Sequence, residues 1–425
     1  MNKINVFFDI KFILDSFYAK TAARSGIFFV TWNVLNIMHK NNNLNITLTY
    51  PLESEIFDNL RKIKKERFFS QFNFVCTGMT DTIQHKIRKH KKNKKYVRMF
   101  YNCLRFLKLK FKEKCYYNRE KFKNAHIYIS PCYAMPKKIL EQKHIKKFYI
   151  LYDAIPIVFK ERFNAEHYFF QIPNVLDKNT YAFCISQSCK DDFLKYCGDK
   201  LDANKMFVTH IATNRNYIPN YDKQELVRVL KKYDVKHEPN DKYLFSLCTL
   251  EPRKNLPFTI ACFFKFVKKH NIQDLYFYLG GGAWKSFESI MEKTMEEASE
   301  FRHKVKLLGY VDDSDINILY SNSLFFTYLS QYEGFGMPPL EAMQAGTPVI
   351  TSNNSSLPEV VGDAAISLTY NDEEAVIKAF ENFYFNEDLR KEYIAKGLER
   401  AKMFSWEKCV GKMTQVIEGV VKCSE

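Results

Sequence analysis

"YEGFGMPPLEAMQAGTPVI" occupies residues 332–350. The apolar run "SLFFTYLS" leads into it and "TPVITS" closes it, so the stretch reads as strand, loop, helix and strand. Gly334 and Gly336 can adopt positive φ and expose backbone N–H groups. Pro338 and Pro339 suit the first turn of a helix that continues through Leu340, Glu341, Ala342 and Met343. Two strands joined through a helix form the repeating unit of a parallel sheet. Glu333 then sits at the strand end and Glu341 in the first turn of the helix. N–H groups between them suit an anion, and two carboxylates suit the hydroxyls of a sugar or ribose. A loop acid and a dipole-favoured acid at a helix start account for the same spacing.

The pattern recurs on both sides. "INVFFDI", "NITLTY", "FNFVC", "AHIYIS", "FYILYD", "AFCIS" and "MFVTHIA" read as strands of a first half, with helices over 28–40 and 190–196. "KYLFSLCTL", "LYFYLGG", "VKLLGYV", "SLFFTYLS", "TPVITS" and "AISLTY" form a second set. Residues 217–242, charged and helix-prone, read as the connection. At 425 residues, with 46% hydrophobic and 16% aromatic content, the chain can bury two cores. The expected fold is α/β, with two Rossmann-like doubly wound domains facing an interdomain cleft. Residues 1–217 form the first domain and 218–402 the second, while 403–425 form a helix crossing back. Ligands of such sheets bind beyond the carboxyl ends of the strands. That directs attention to "TAARSGIFF" with Gly26, "EPRKN", "GGGAW" and the opening stretch.

In "TLEPRKN", Arg253 and Lys254 stand together before a helix over 256–268, a favourable place for a phosphate or diphosphate. A solvated turn with two surface cations fits too. "DDSD" at 312–315 is the one acidic run with a metal-like look, and it reads better as the cap of a helix over 316–320. "GGGAW" at 280–284, directly after the run "LYFYL", reads as a sheet-to-helix turn at the carboxyl end of a strand.

The net charge of +16 is local: residues 86–123 hold sixteen Lys and Arg against Glu113 and Glu120, which leaves the remainder near neutral. Over 97–111, Arg98, Asn102, Arg105 and Lys112 share one helical side with Lys108 in the same block, while Val97, Phe100, Leu104, Leu107 and Phe111 line the other. A cationic amphipathic helix of this kind suits an anionic membrane surface; an ordinary surface helix beside a solvated charge run is the plainer account. Eleven cysteines, odd in number and without a Cys-x-x-Cys pair, indicate reduced thiols rather than zinc ligands or a disulfide framework. The start lacks a cleavable-leader pattern and no stretch of 18 apolar residues occurs. A cytoplasmic location, peripheral on the inner face of the cell membrane, is expected.

Glu333 and Glu341 with seven residues between them, taken with "EPRKN", resemble the retaining, nucleotide-sugar-dependent glycosyltransferases of GT-B fold numbered family four. The resemblance runs through 61 residues, 305–365, and through "SLCTLEPRKN". It is looser in the first half, at "DIKFI" with "SGIFF", at "LYDAIPIVF" and at "FCISQSCKDDF". It implies that Glu341 binds ribose hydroxyls, that Glu333 faces the transferred sugar, and that the N–H groups of Phe335 and Gly336 meet sugar hydroxyls or diphosphate. Gly26, Thr249, Gly334, Met337 and Leu340 complete the implied donor site with Arg253 and Lys254, and the backbone of Tyr310 and Val311 borders the base. Glu333 and Asp153 are the implied candidates for the chemical step. Tyr152 stands where the family often has His, and Thr249 where many members have Arg.

No metal and no cofactor is implied beyond the nucleotide-diphosphate sugar, and the acceptor is a carbohydrate or lipid-linked glycan. Retention without a placed nucleophile and double displacement through Glu333 both stay open. UDP-, GDP-, ADP- and dTDP-sugars all occur in the family, and the "TLEPRKN" form leans to mannosyl and rhamnosyl transfer. A synthase acting on a soluble sugar phosphate is the competing enzyme reading. A nucleic-acid-binding scaffold is disfavoured because it leaves both glutamates and "EPRKN" without a role.

Overall fold

The computed structural model describes residues 3–17, 26–51, 56–77, 119–162, 171–282, 293–296 and 299–423. Arg98, Arg105, Lys108 and Lys112 lie outside the described residues, as do Ala283 and Trp284 of "GGGAW". The chain divides into two compact units. One comprises 1–185, 189–211 and 406–425; the other comprises 186–188 and 212–405.

The first unit carries a seven-stranded sheet, β1 (Ile4–Asp9), β2 (Leu44–Tyr50), β3 (Asn73–Cys76), β4 (Ile127–Ser130), β5 (Lys146–Leu151), β6 (Tyr181–Cys184) and β7 (Met206–Val208). Their order is β3-β2-β1-β4-β5-β6-β7 and every pairing is parallel. β4 is buried at all four positions, so apolar runs without alternation are what a sheet covered on both faces requires. The helix Gly26–Met38 begins two residues earlier than the apolar pattern suggested, and Gly26 is its first residue. Packed on it is the helix Trp406–Lys422. That final helix buries Trp406, Cys409, Val410, Met413, Ile417 and Val421, a single face at helical spacing.

In the second unit the sheet has six strands, β8 (Lys242–Leu247), β9 (Leu275–Gly280), β10 (Val305–Gly309), β11 (Phe325–Tyr328), β12 (Val349–Ser352) and β13 (Ile366–Leu368). The order β10-β9-β8-β11-β12-β13 is again wholly parallel. Winding proceeds outward from β8 in one direction and from β11 in the other, so the switch point lies between these two strands. There Phe325 pairs with Leu244 and Phe326 with Phe245. Stacked Tyr243 and Tyr278 rings, 4.5 Å apart, fill one side of this core.

One expectation is corrected in this unit, and a second in part. Residues 217–242 are no free connection: the helix Lys223–Lys232 is capped by Asp222 and buries Leu226, Val229 and Leu230 within the unit. Asp315 does take the N-cap position of the helix Ile316–Ser321, as expected, but its side chain makes no capping bond. Its carboxylate instead accepts from Tyr233 at 2.6 Å and Lys232 at 2.7 Å, which ties the two helices together. The Lys232 ammonium offers the carboxylate a stronger bond than a backbone N–H does, and the Tyr233 hydroxyl adds a second. Among the described residues all nine cysteines are free thiols, eight of them buried.

The glycines after β9 are set by backbone approach. A Cβ on Gly281, whose φ is +134°, would lie 1.7 Å from the Cys248 carbonyl oxygen, whereas one on Gly282 meets nothing within 4 Å. Gly281→Ala is therefore expected to lower unfolding free energy by at least about 2 kcal/mol in urea titration, and Gly282→Ala by under about 1 kcal/mol.

Candidate functional site

The site is built at the carboxyl ends of β8 and β11, on both sides of the switch point. After β8 the chain extends at Glu251, makes a single 3-10 turn over Pro252–Lys254, and turns left-handed at Asn255 with φ of 57°. Pro252 suits the first position of that turn and asparagine tolerates the left-handed geometry. The helix Leu256–Lys269 starts immediately afterwards. Backbone bonds clamp this turn to the loop after β11, with Gln331 N donating to the Arg253 carbonyl at 2.9 Å.

Arg253, Lys254 and Glu333 are 7%, 8% and 8% exposed, so the solvated-turn account of the two cations is excluded. Both cations converge on one oxygen. Glu333 Oε1 lies 2.8 Å from Arg253 Nη1 and 2.6 Å from Lys254 Nζ. Arg253 Nη2 also reaches Glu251 at 2.6 Å, its Nη1 donates to the Tyr332 carbonyl, and Lys254 Nζ lies 2.6 Å from the Tyr328 hydroxyl. Arg253 Nε is buried and has no hydrogen-bond partner. Burial alone would raise the pKa of Glu333, but the charges of Lys254 and Arg253 outweigh it and bring the pKa down to about 2. Burial lowers that of Arg253, and Glu333 and Glu251 more than reverse this.

The backbone of Glu333 is held from both sides: its N–H donates to Ser355 Oγ at 2.9 Å and its carbonyl accepts from Ser356 Oγ at 2.8 Å. Gly336 has φ of +110°, and a Cβ there would press within 2.8 Å of Leu357. This turn starts the helix at Met337, so Glu341 is its fifth residue and lies beyond the first turn. Pro338 and Pro339, in second and third place, bring no N–H groups. The anion donors expected here are thus confined to loop amides up to Met337, because Leu340 N–H already bonds the Gly336 carbonyl. The side chains of Phe335 and Leu340 are buried, with the Phe335 ring 5.7 Å from that of Phe404.

Glu341 has different partners from Glu333. Tyr320 donates to its Oε2 at 3.1 Å and the Tyr217 hydroxyl also bonds it, the two rings standing edge to face at 5.8 Å. Burial raises its pKa to about 7 against the lowering by both tyrosines; Asp313 adds to the rise and Arg215 opposes it. Rings join the two acids: Tyr320 lies 5.2 Å from Phe326, which lies 5.9 Å from Tyr328, the partner of Lys254.

Tyr310 is half exposed and Val311 buried, its side chain against Gly280; Thr249 is exposed and its carbonyl accepts from Glu251 N. Gly26, Tyr152 and Asp153 belong to the first unit. There Asp153 Oδ1 accepts from Ile155 N at 2.9 Å, beside a small pocket lined by Ile27, Cys132, Pro156, Ile172 and Phe193. Sequence reasoning passed over Glu251, Tyr328, Tyr217 and Tyr320. Glu251 stood in plain view inside "EPRKN", whereas the tyrosines gave no local signal.

Residues 229–400 match the family described as glycosyl transferases, group 1. The second unit is a group 1 glycosyltransferase domain. O-antigen chain mannosyltransferase B of Escherichia coli is 34% identical to the chain over 207 residues, 49% of this chain and 52% of that protein. The serotype-specific mannosyltransferase WbdA of Escherichia coli is 26% identical over 264 residues, 60% of this chain and 31% of that one. The chain thus spans about half the length of the first of these relatives and less than a third of the second. In fold, a glycosyltransferase structure from Rickettsia africae superposes with a TM-score of 0.65 at 17% identity, covering 99% of this chain and 100% of that one. Two Rossmann-like units with these parallel sheets make the fold GT-B.

Ionisation of Glu341 gives a pH test. The folded chain holds its proton to about pH 7, while the ordinary glutamate value is 4.5, so the folded state binds the extra proton. The stability this lends is fully present below about pH 4.5 and is lost as pH rises through 7, an effect of about 3 kcal/mol at most. In urea unfolding Glu341→Gln should therefore be more stabilising, relative to wild type, at pH 8 than at pH 4.5. An equal difference at the two pH values would contradict the assignment.

Proposed function

We propose that this chain is a retaining hexosyltransferase. It moves a mannosyl-type sugar from a nucleotide-diphosphate donor to a carbohydrate or lipid-linked glycan in cell-surface polysaccharide assembly. The observation that carries the reading is the buried Arg253–Lys254 pair at the switch point of a group 1 glycosyltransferase domain. Two fixed cations in a site shielded from water suit charge that develops on a departing diphosphate, so the proposal needs no metal. The mannosyltransferase names of the two relatives support the choice of sugar class and of a surface glycan.

In this mechanism Arg253 and Lys254 hold the diphosphate, and Glu341 with its two tyrosines receives the ribose hydroxyls. The bond between the anomeric carbon and the diphosphate oxygen breaks, and its electron pair stays on that oxygen. The acceptor hydroxyl bonds the anomeric carbon on the same face and passes its proton to the departing phosphate. Glu333 lies within reach of the sugar and stabilises positive charge on the ring. Acceptor binding falls to the first unit, where Asp153 and Tyr152 stand beside the small pocket. The basic segment 86–123 adds contact with an anionic membrane at the cytoplasmic face, a location consistent with the absence, among described residues, of any helix able to span a bilayer.

The test is transfer from a panel of radiolabelled nucleotide sugars to mannose-terminated oligosaccharides and their lipid-linked forms, with the new linkage read by its anomeric proton. The α-configured donor should give an α-linked product at a rate unchanged by EDTA, and Lys254→Ala should lower kcat/KM at least about 100-fold. An inverted product, or full activity in Lys254→Ala, would contradict the mechanism. Cosedimentation with anionic but not zwitterionic vesicles is expected; equal recovery in both supernatants would remove the membrane contact.

A further inference from the structure

Arg253 and Lys254 are already neutralised. Glu251 and Glu333 supply two negative charges within 2.8 Å of the two cations, and both cations share the single oxygen Glu333 Oε1. A diphosphate cannot use these donors fully while that oxygen holds them, and its own charge is repelled by a carboxylate in the same place. Something must draw Glu333 away when the donor arrives. Its backbone is pinned by Ser355 and Ser356, so only the side chain can turn.

We propose that Glu333 is a placeholder anion that makes the site discriminate a sugar-bearing nucleotide from the bare nucleoside diphosphate. The inference rests on the reading of Arg253 and Lys254 as the diphosphate site. A nucleotide sugar displaces the carboxylate from the cations and offers it hydroxyl donors in exchange, so Glu333 leaves one set of partners for another. A bare diphosphate displaces it and offers nothing, leaving a buried carboxylate without compensation. After transfer the sugar is gone, and Glu333 returns to Arg253 and Lys254 and expels the spent diphosphate. Glu251 differs. It engages Arg253 Nη2 and lies at the start of the turn itself, so it weakens all anions alike.

The experiment is titration calorimetry of the full chain with GDP, UDP, ADP and dTDP, each alone and as GDP-mannose, UDP-glucose, ADP-glucose and dTDP-glucose. For the nucleotide that wild type binds, Glu333→Gln should tighten the bare diphosphate about tenfold or more and leave the nucleotide sugar unchanged or weaker. Glu251→Gln should tighten both forms by the same factor. Should Glu333→Gln not fold, Glu333→Asp keeps the charge but draws it back by one methylene, and the same selective gain is expected in smaller measure. If the Glu333 variant shifts both forms equally, the placeholder role is overturned while the diphosphate site stands. If none of the eight compounds binds wild type, the functional reading fails and takes the inference with it.

Discussion

Two buried cations meeting at one carboxylate oxygen constrain everything around them. Burying an ammonium and a guanidinium without an anion would cost several kcal/mol each, so Arg253 and Lys254 can sit below the surface only because Glu333 and Glu251 are there. The requirement runs in both directions, because Glu333 is buried too and stays ionised only beside them. The loop after β8 and the loop after β11 are consequently fixed against each other. Ser355 and Ser356 then lock the backbone that carries the carboxylate, and Tyr328 supplies the last partner of Lys254.

Topology puts these loops together. In a doubly wound sheet, adjacent strands wound in opposite directions leave their carboxyl-end loops facing a gap that no helix fills. β8 and β11 are that pair in the second unit. The aromatic row from Tyr328 through Phe326 to Tyr320 extends from the gap to Glu341, giving the two acids separate electrostatic settings. One is depressed by cations and ionised throughout the physiological range. The other is raised by burial and titrates near neutrality. A diphosphate and a diol make different demands, and this division meets both.

Much of the fold was legible because parallel strands buried on both faces write themselves as unbroken apolar runs. All thirteen runs picked from the pattern are strands in the two sheets. Residues 217–242 misled for the opposite reason: their charge is carried on the outer face of a helix whose inner face, Leu226, Val229 and Leu230, is buried. Asp315 holds the cap position that local spacing marks, but spacing cannot reveal Lys232 and Tyr233 arriving from another helix to take its carboxylate. In the site, Arg253, Lys254 and Glu333 could be picked out, but their mutual neutralisation could not, since 79 residues separate Lys254 from Glu333 along the chain. The tyrosines around Glu341 were hidden in the same way. Gly281 was legible as a turn, while its close approach to Cys248 needed the register of β8 and β9.

The central claim is that the buried charges of the second unit exist only as a coupled set. A double-mutant cycle with Lys254→Met and Glu333→Gln, read by urea unfolding at pH 7, measures this directly. Each single variant strands a charge and should be strongly destabilising, while the double variant should cost less than their sum by at least about 2 kcal/mol. Single-variant costs that add to within about 0.5 kcal/mol would contradict the account, because they would mean that the two side chains do not depend on each other.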